Sequence, residues 1–221
     1  MWIYRKLLER FGPRDWWPAD SPFEVMTGAI LTQNTAWRNV EKAIANLKAL
    51  GLGTPEAVLA ADPDRLAEAL RPSGYYTVKA RRLRALCSFV LKIGAGGLDP
   101  EALRLPMEEL RQRLLTVDGV GPETADSIVL YAASKPSFVV DAYTRRILSR
   151  HSLVAGDEPY GEIRALFMDC LPADVPLYNE FHALIVAVGH TLCRPKAPRC
   201  GECPLGRDPG LSAELREAMA G

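Results

Sequence analysis

The sequence predicts an all-α protein. Apolar residues recur at three- and four-residue spacing in patches such as Ala43, Leu47 and Leu50, which is the period of an amphipathic helix. Glycine and proline interrupt these patches at short intervals, and β-branched residues seldom alternate over the length of a strand. We therefore expect about ten short helices, with no low-complexity region and no internal repeat.

Composition limits the class of protein. The chain has 221 residues, of which 48% are hydrophobic, enough for one large domain or two small ones. Its 27 basic and 27 acidic residues balance, so a nucleic-acid-binding face would have to arise from local clustering of cations. The N-terminal segment does not resemble a signal peptide, because the charged residues Arg5, Lys6 and Glu9 interrupt it. No apolar run reaches membrane-spanning length. We expect a cytoplasmic protein with no membrane segment.

Three of the four tryptophans, Trp16, Trp17 and Trp37, fall in one segment, WWPADSPFEVMTGAILTQNTAW. Large indoles of this kind commonly pack in a core. They also stack on a positively charged ring, with a cation–π attraction of about 0.5–2 kcal/mol. Both interpretations stay open from the residues alone.

The stretch GVGP at residues 119–122 separates two helical patterns. Gly119 and Gly121 allow backbone angles forbidden to other residues and a close approach by a ligand. Pro122 is suited to the first turn of the helix that follows. The amides of such a helix start attract anions, and in a nucleic-acid-binding protein the anion would be a phosphate. An ordinary tight turn between two helices explains the same glycines.

Asp141 follows the apolar residues Phe138, Val139 and Val140 and precedes the helical pattern AYTRRIL. Aspartate is strongly favoured as the cap at a helix start. A capping carboxylate is held rigidly, which also suits a catalytic carboxylate. The two roles are compatible.

Four motifs in order resemble the helix–hairpin–helix superfamily of DNA glycosylases, with endonuclease III as its best-known branch. They are PFEVMTGAILTQNTAW, RPSGYYTVKARRL, GVG followed by VVDAYTRRIL, and GHTLCRPKAPRCGECP, within about residues 14–205. The resemblance implies a two-lobed all-α fold with a Cys-rich C-terminal loop, here 193–209. It also implies one domain of residues 16–135 containing the hairpin, and a second of residues 1–15 with 136–221. The partner would be double-stranded DNA with a damaged base, bound by a monomer associated with the nucleoid.

The resemblance assigns chemistry to two of these residues. Such enzymes flip the target nucleotide out of the duplex, and Asp141 would stabilise the positive charge that develops on the sugar or place a water. Members that also cut the strand carry a lysine at the position of Glu123, where it forms a Schiff base. A carboxylate cannot do so, which indicates a monofunctional glycosylase. Glu123 is equally suited to complement the dipole of its helix.

A bacterial 3-methyladenine DNA glycosylase subgroup shares the patterns WWP, LTQNT and RPSG and an acid at the position of Glu123. This resemblance implies that alkylated purines are the substrate. It implies a base pocket formed by Trp16, Trp17, Pro18, Trp37 and Glu123.

The same resemblance implies that Gln33 fills the gap left by the flipped base. Tyr75, or its neighbour Tyr76, would be a wedge that separates base steps from the minor groove. The remaining predicted DNA contacts are Lys79, Gly119, Gly121 and Arg145.

Cys193, Cys200 and Cys203 lie within eleven residues, a crowding that favours metal or cluster ligation over disulfides in a reducing compartment. By resemblance they match three ligands of a [4Fe–4S] cluster. The fourth family position falls on Pro209, and Asp208 could supply an oxygen instead. Three interpretations remain: a cluster with an unusual fourth ligand, a metal-free loop, and zinc or a three-iron cluster.

Two other functions compete with alkylpurine excision. One is an endonuclease III-like glycosylase for oxidised pyrimidines or mismatched bases. The other is a non-catalytic helix–hairpin–helix DNA-binding module, against which Asp141 argues, because phosphate binding needs no carboxylate there.

Overall fold

The structure is a computed structural model that describes residues 1–93 and 103–206. All regular secondary structure in these residues is helical, which confirms the all-α prediction. The α-helices are α1 (Trp2–Phe11), α2 (Pro22–Leu31), α3 (Trp37–Ala49), α4 (Pro55–Ala60), α5 (Pro63–Ala69), α6 (Tyr76–Ile93), α7 (Met107–Leu114), α8 (Pro122–Ser127), α9 (Ala142–Arg150), α10 (Tyr160–Cys170) and α11 (Val175–Thr191). Arg71–Ser73 forms a 3-10 turn, and Ile128–Ala132 continues α8 as a π-helix.

Local sequence signals set the starts of these helices. Proline occupies the first turn of α2, α4, α5, α8 and α11, where its missing amide hydrogen costs nothing. An oxygen-bearing side chain accepts a hydrogen bond from a first-turn amide in five helices. These caps are Ser21, Thr54, Asp62, Asp141 and Asp174.

The chain divides into two compact units. One comprises Met1–Pro18 together with the chain from Pro136 onward, and the other is Ala19–Lys135. In the second unit α6 packs against α4 and α5, and α2 packs against α3, α6 and the π-helix. Its core contains Leu31, Val40, Leu66 and Leu83, all fully buried, and each such side chain contributes about 1.5–3 kcal/mol.

The first unit is built on α11. Both α1 and α9 pack against this helix. Its core is aromatic: the rings of Phe138 and Phe167 stack at 3.8 Å, and Phe181 meets both rings edge to face. Gly189 lets α9 approach closely, because a Cβ there would lie 2.5 Å from the ring of Tyr143. In the described part of the chain no helix is long and apolar enough to cross a membrane.

Candidate active site

Asp141 caps α9, as the sequence predicts, and is 9% exposed. Its Oδ1 accepts hydrogen bonds from the backbone amide of Thr144 at 2.7 Å and from the Thr144 hydroxyl at 2.8 Å. The Thr144 hydroxyl also accepts from the Asp141 amide, which completes a reciprocal capping box. The carboxylate is therefore fixed by its own helix and largely shielded from solvent.

His182 is a neighbour of Asp141 that the sequence did not reveal. Its Nε2 lies 3.6 Å from Oδ2 of Asp141, and the imidazole is 6% exposed. Burial raises the pKa of Asp141, but His182 and Thr144 lower it by more, so the pKa lies below its ordinary value. The carboxyl group is consequently ionised at neutral pH. His182 stands on α11, and no local motif links it to Asp141.

The hairpin glycines differ from each other. Gly119 has a φ of 81°, as the prediction requires, and a Cβ there would lie 2.2 Å from Cγ of Arg82. Gly121 has an extended φ of −91° and open space at the Cβ position. Of the two, Gly119 therefore uses the backbone freedom of glycine, and the DNA contact of Gly121 stays a prediction. Pro122 begins α8 as predicted.

Gln33 is bound to this hairpin. Its Nε2 donates to the Gly119 carbonyl and to the Thr124 hydroxyl, each at 3.0 Å, and its Oε1 accepts from Nη1 of Arg82. Both ends of the amide are therefore engaged. Filling a gap in DNA, as predicted, requires these bonds to break.

Lys79 does not lie where a DNA contact needs it, so that prediction is wrong. The side chain is 2% exposed, and its Nζ donates to the carbonyls of Leu31 at 2.9 Å and Ser73 at 2.7 Å. These carbonyls close α2 and the 3-10 turn, where helical partners run out. Burial, with Arg82 nearby, lowers the pKa of Lys79 to about 8. Lys79 joins two segments of its unit.

Tyr75 and Tyr76 are distinguished by exposure. Tyr75 is 75% exposed, with a φ of 45°, at the turn that precedes α6. Tyr76 packs against the core of its unit, beneath the guanidinium of Arg71. Of the two, Tyr75 is the more exposed, and the wedge role stays a prediction. Arg145, another predicted DNA contact, donates to the Glu158 carbonyl at 2.7 Å and is half-buried.

The predicted pocket residues lie in both units. Trp16 and Trp17 belong to the first unit, half-buried, with their rings 5.1 Å apart and tilted by 47°. Pro18 beside them is exposed. Trp37 packs against the core of the second unit, and its indole nitrogen donates to Glu41 at 2.9 Å. The core-packing interpretation therefore describes Trp37 well.

A family model of the HhH-GPD superfamily of base excision DNA repair proteins matches residues 27–173. The chain belongs to this superfamily. It is a DNA glycosylase of base excision repair, as the sequence predicts.

Relatives and solved structures agree with this membership. A Methanocaldococcus jannaschii protein named as a candidate DNA repair glycosylase is 45% identical over 92% of both chains. Endonuclease III of Thermotoga maritima is 32% identical over 91% of this chain and 87% of its own. The structure of the H. pylori 3-methyladenine DNA glycosylase bound to 1,N6-ethenoadenine is 30% identical, covers 84% of this chain and 92% of that chain, and has a TM-score of 0.70. A trapped endonuclease III–DNA intermediate has the same fold, with a TM-score of 0.78 at 23% identity over 92% and 91% of the two chains.

In this HhH-GPD glycosylase, Glu123 is exposed on the first turn of α8. That turn follows the hairpin directly, where the resemblance places the lysine of strand-cutting members. Ser127 donates to the Glu123 carbonyl at 2.8 Å. The side chain complements the helix dipole.

The cysteine loop follows α11. Cys193 is buried, and Cys200 and Cys203 are half-buried. Burial raises the pKa of Cys203, and the other two thiols raise it further. Arg150 donates to Sγ of Cys193 at 3.2 Å.

These residues fit a cluster only in part. Cysteine thiolates are its usual ligands, and residues up to 206 supply three of four. Within the described ranges, no three His, Cys, Asp or Glu side chains could hold one metal ion. The predicted fourth ligand, Asp208, lies outside the described residues.

Proposed function

We propose that this protein is a monofunctional DNA glycosylase that removes alkylated purines of the 3-methyladenine type from double-stranded DNA, acting as a monomer. The observation that carries the proposal is the buried carboxylate of Asp141, which Thr144 fixes at the start of α9. A fixed negative charge shielded from solvent suits the cleavage of an N-glycosidic bond.

The proposed reaction breaks the bond between C1′ of the sugar and the base nitrogen, and the electron pair leaves with the base. An alkylated purine carries a positive charge and departs as a neutral molecule, so it needs little protonation. Positive charge develops on the sugar, where the Asp141 carboxylate stabilises it or places the attacking water. The water oxygen bonds to C1′, and the proton that it loses passes to solvent.

The substrate class is supported by the indoles and by one solved relative. Trp16 and Trp17 form an adjacent, half-buried pair, and an aromatic face attracts a cationic ring. The H. pylori enzyme that shares the fold at 30% identity is a 3-methyladenine glycosylase. The absence of strand cleavage is supported by Glu123, because a carboxylate forms no Schiff base.

The similarity to endonuclease III of Thermotoga maritima favours a second candidate, a glycosylase for oxidised pyrimidines or mismatched bases. A non-catalytic DNA-binding module gains less support, since phosphate binding needs no carboxylate at this position.

We further propose that Cys193, Cys200 and Cys203 bind a [4Fe–4S] cluster, with Asp208 as the fourth ligand. The spacing of the three thiols and their resemblance to family ligands support this. No step of the reaction depends on the cluster.

A base-release assay tests the function. Duplex DNA treated with a methylating agent is incubated with the wild type, and free bases are separated by chromatography. We expect 3-methyladenine to appear, with the strand intact until alkali is added. Release of an oxidised pyrimidine alone would support the second candidate. DNA binding without release of any base would support the non-catalytic module.

A further inference from the structure

The two carboxylate oxygens of Asp141 have different surroundings. Oδ1 is occupied by the amide and the hydroxyl of Thr144, at 2.7 Å and 2.8 Å. Oδ2 faces Nε2 of His182 at 3.6 Å. Capping α9 therefore uses one oxygen and leaves the other to His182.

The contact is buried. Asp141 is 9% exposed and His182 is 6% exposed, so water screens little of the attraction between them. Burial alone favours the neutral acid. His182 and Thr144 reverse that effect and lower the pKa of Asp141.

Most other titratable groups on the packed elements are engaged elsewhere or exposed. On α9 itself, the three arginines donate to backbone carbonyls at Glu158, Gly189, Cys193, Arg194 and Pro195. On α11, Glu180 accepts from the amide of Arg14, and His190 is exposed. Tyr178 is buried in the aromatic core, and the hydroxyl of Tyr160 accepts from the amide of Val140. His182 is therefore the described side chain of α11 that faces Oδ2 of Asp141.

We propose that His182 is a positioning residue that holds Oδ2 of Asp141 ionised and in place during base excision. The inference rests on the proposed catalytic role of Asp141. An imidazole that donates toward Oδ2 stabilises the anion. Without it, burial favours protonation, and a protonated carboxyl cannot stabilise a cationic sugar.

The first test is the pH dependence of base release, measured under single-turnover conditions from about pH 4 to about pH 9. In His182→Leu, the fall in the rate of base release toward acid should occur at higher pH than in wild type. At the acid end of the profile, the variant should then be slower than wild type by about tenfold for each pH unit of this shift. His182→Gln retains an N–H donor and should shift this fall less. His190→Leu, at the exposed end of the same helix, should not shift it.

A second readout needs no activity. The ¹³C resonance of the Asp141 carboxyl group, assigned by its loss in Asp141→Asn, should titrate at higher pH in His182→Leu than in wild type. Equal titration in both proteins, or a rate loss of the same factor at every pH, would overturn the inference. If the wild type releases no base, the proposed function fails, and the NMR titration still decides whether His182 controls the carboxyl group.

Discussion

The charge of Asp141 can be removed by substitution without removing the cap of α9. Asparagine caps helices about as well as aspartate, and the Thr144 amide keeps an acceptor. Asp141→Asn should therefore bind DNA like the wild type and release 3-methyladenine about 10²–10³-fold more slowly, the usual cost of removing one electrostatic contact to a transition state. Binding is measured by fluorescence anisotropy and release by chromatography. Full activity in the variant would remove Asp141 from the mechanism.

Asp141→Asn should also change how the free energy of unfolding depends on pH. The pKa of Asp141 is lowered in the folded protein, so its ionised form adds stability above the unfolded value of about 3.9. That contribution disappears as the pH falls through the folded pKa. The free energy of unfolding of the wild type should therefore approach that of Asp141→Asn in acid.

Lys79 should matter for stability and not for phosphate binding. Lys79→Met leaves the buried carbonyls of Leu31 and Ser73 without their donor, at about 1–3 kcal/mol each. The salt dependence of DNA affinity should not change. Arg81→Met, which breaks an exposed pair with Asp118, should cost about 0–1 kcal/mol.

The lowered pKa of Lys79 also predicts that the free energy of unfolding rises with pH. Its pKa of about 8 in the folded protein lies below the unfolded value of about 10.4. The unfolded chain binds more protons between these values, so the free energy of unfolding should increase from about pH 8 to about pH 10.4 in wild type. Lys79→Met should lack this increase. A rise of equal size in the variant would assign it to another group.

The hairpin offers a matched pair of glycines. Gly119→Ala must adopt a φ of 81° and push its Cβ into Arg82, which in turn holds Gln33. We expect a loss of about 1–3 kcal/mol in stability, with weaker DNA binding. Gly121→Ala has an extended backbone and open space, so its stability should stay near wild type. Thermal unfolding measures stability and DNA titration measures binding, and equal effects on stability would contradict this account of the loop.

Local chemistry explains which parts of the fold the sequence could predict. Pro122 and Asp141 act within one helical turn, so their positions at helix starts follow from neighbouring residues alone. Three contacts join residues that are far apart in sequence. They are the hydrogen bond from Arg82 to Gln33, the hydrogen bond from buried Lys79 to Leu31, and the approach of His182 to Asp141. These contacts depend on how helices pack. The sequence pattern of a basic run such as KARRLR does not distinguish a lysine that faces solvent from one that donates to two buried carbonyls.

The metal content of the purified protein tests the cysteine loop. If Cys193, Cys200 and Cys203 hold a cluster, protein purified without air should be brown and contain iron and acid-labile sulfide. Asp208→Ala should make the colour fade faster in air. Cys87→Ala is the control, because Cys87 lies in the core of the other unit with its pKa raised by burial to about 12. Zinc without sulfide, or no metal, would overturn the cluster proposal.

The intact enzyme should leave the DNA strand uncut. Elimination at an abasic site needs an amine that can be neutral near pH 7, and Glu123 at the hairpin supplies a carboxylate. Lys79 has its pKa lowered to about 8 but is held in the interior by two carbonyls, so it cannot take over that role. Product DNA should therefore break only after alkali, and borohydride should trap no covalent complex with wild type. Glu123→Lys should gain a trappable complex, whereas Glu123→Gln, which keeps the size and adds no amine, should not. Efficient trapping of the wild type would show that another amine reaches the sugar, and the monofunctional proposal would then be wrong.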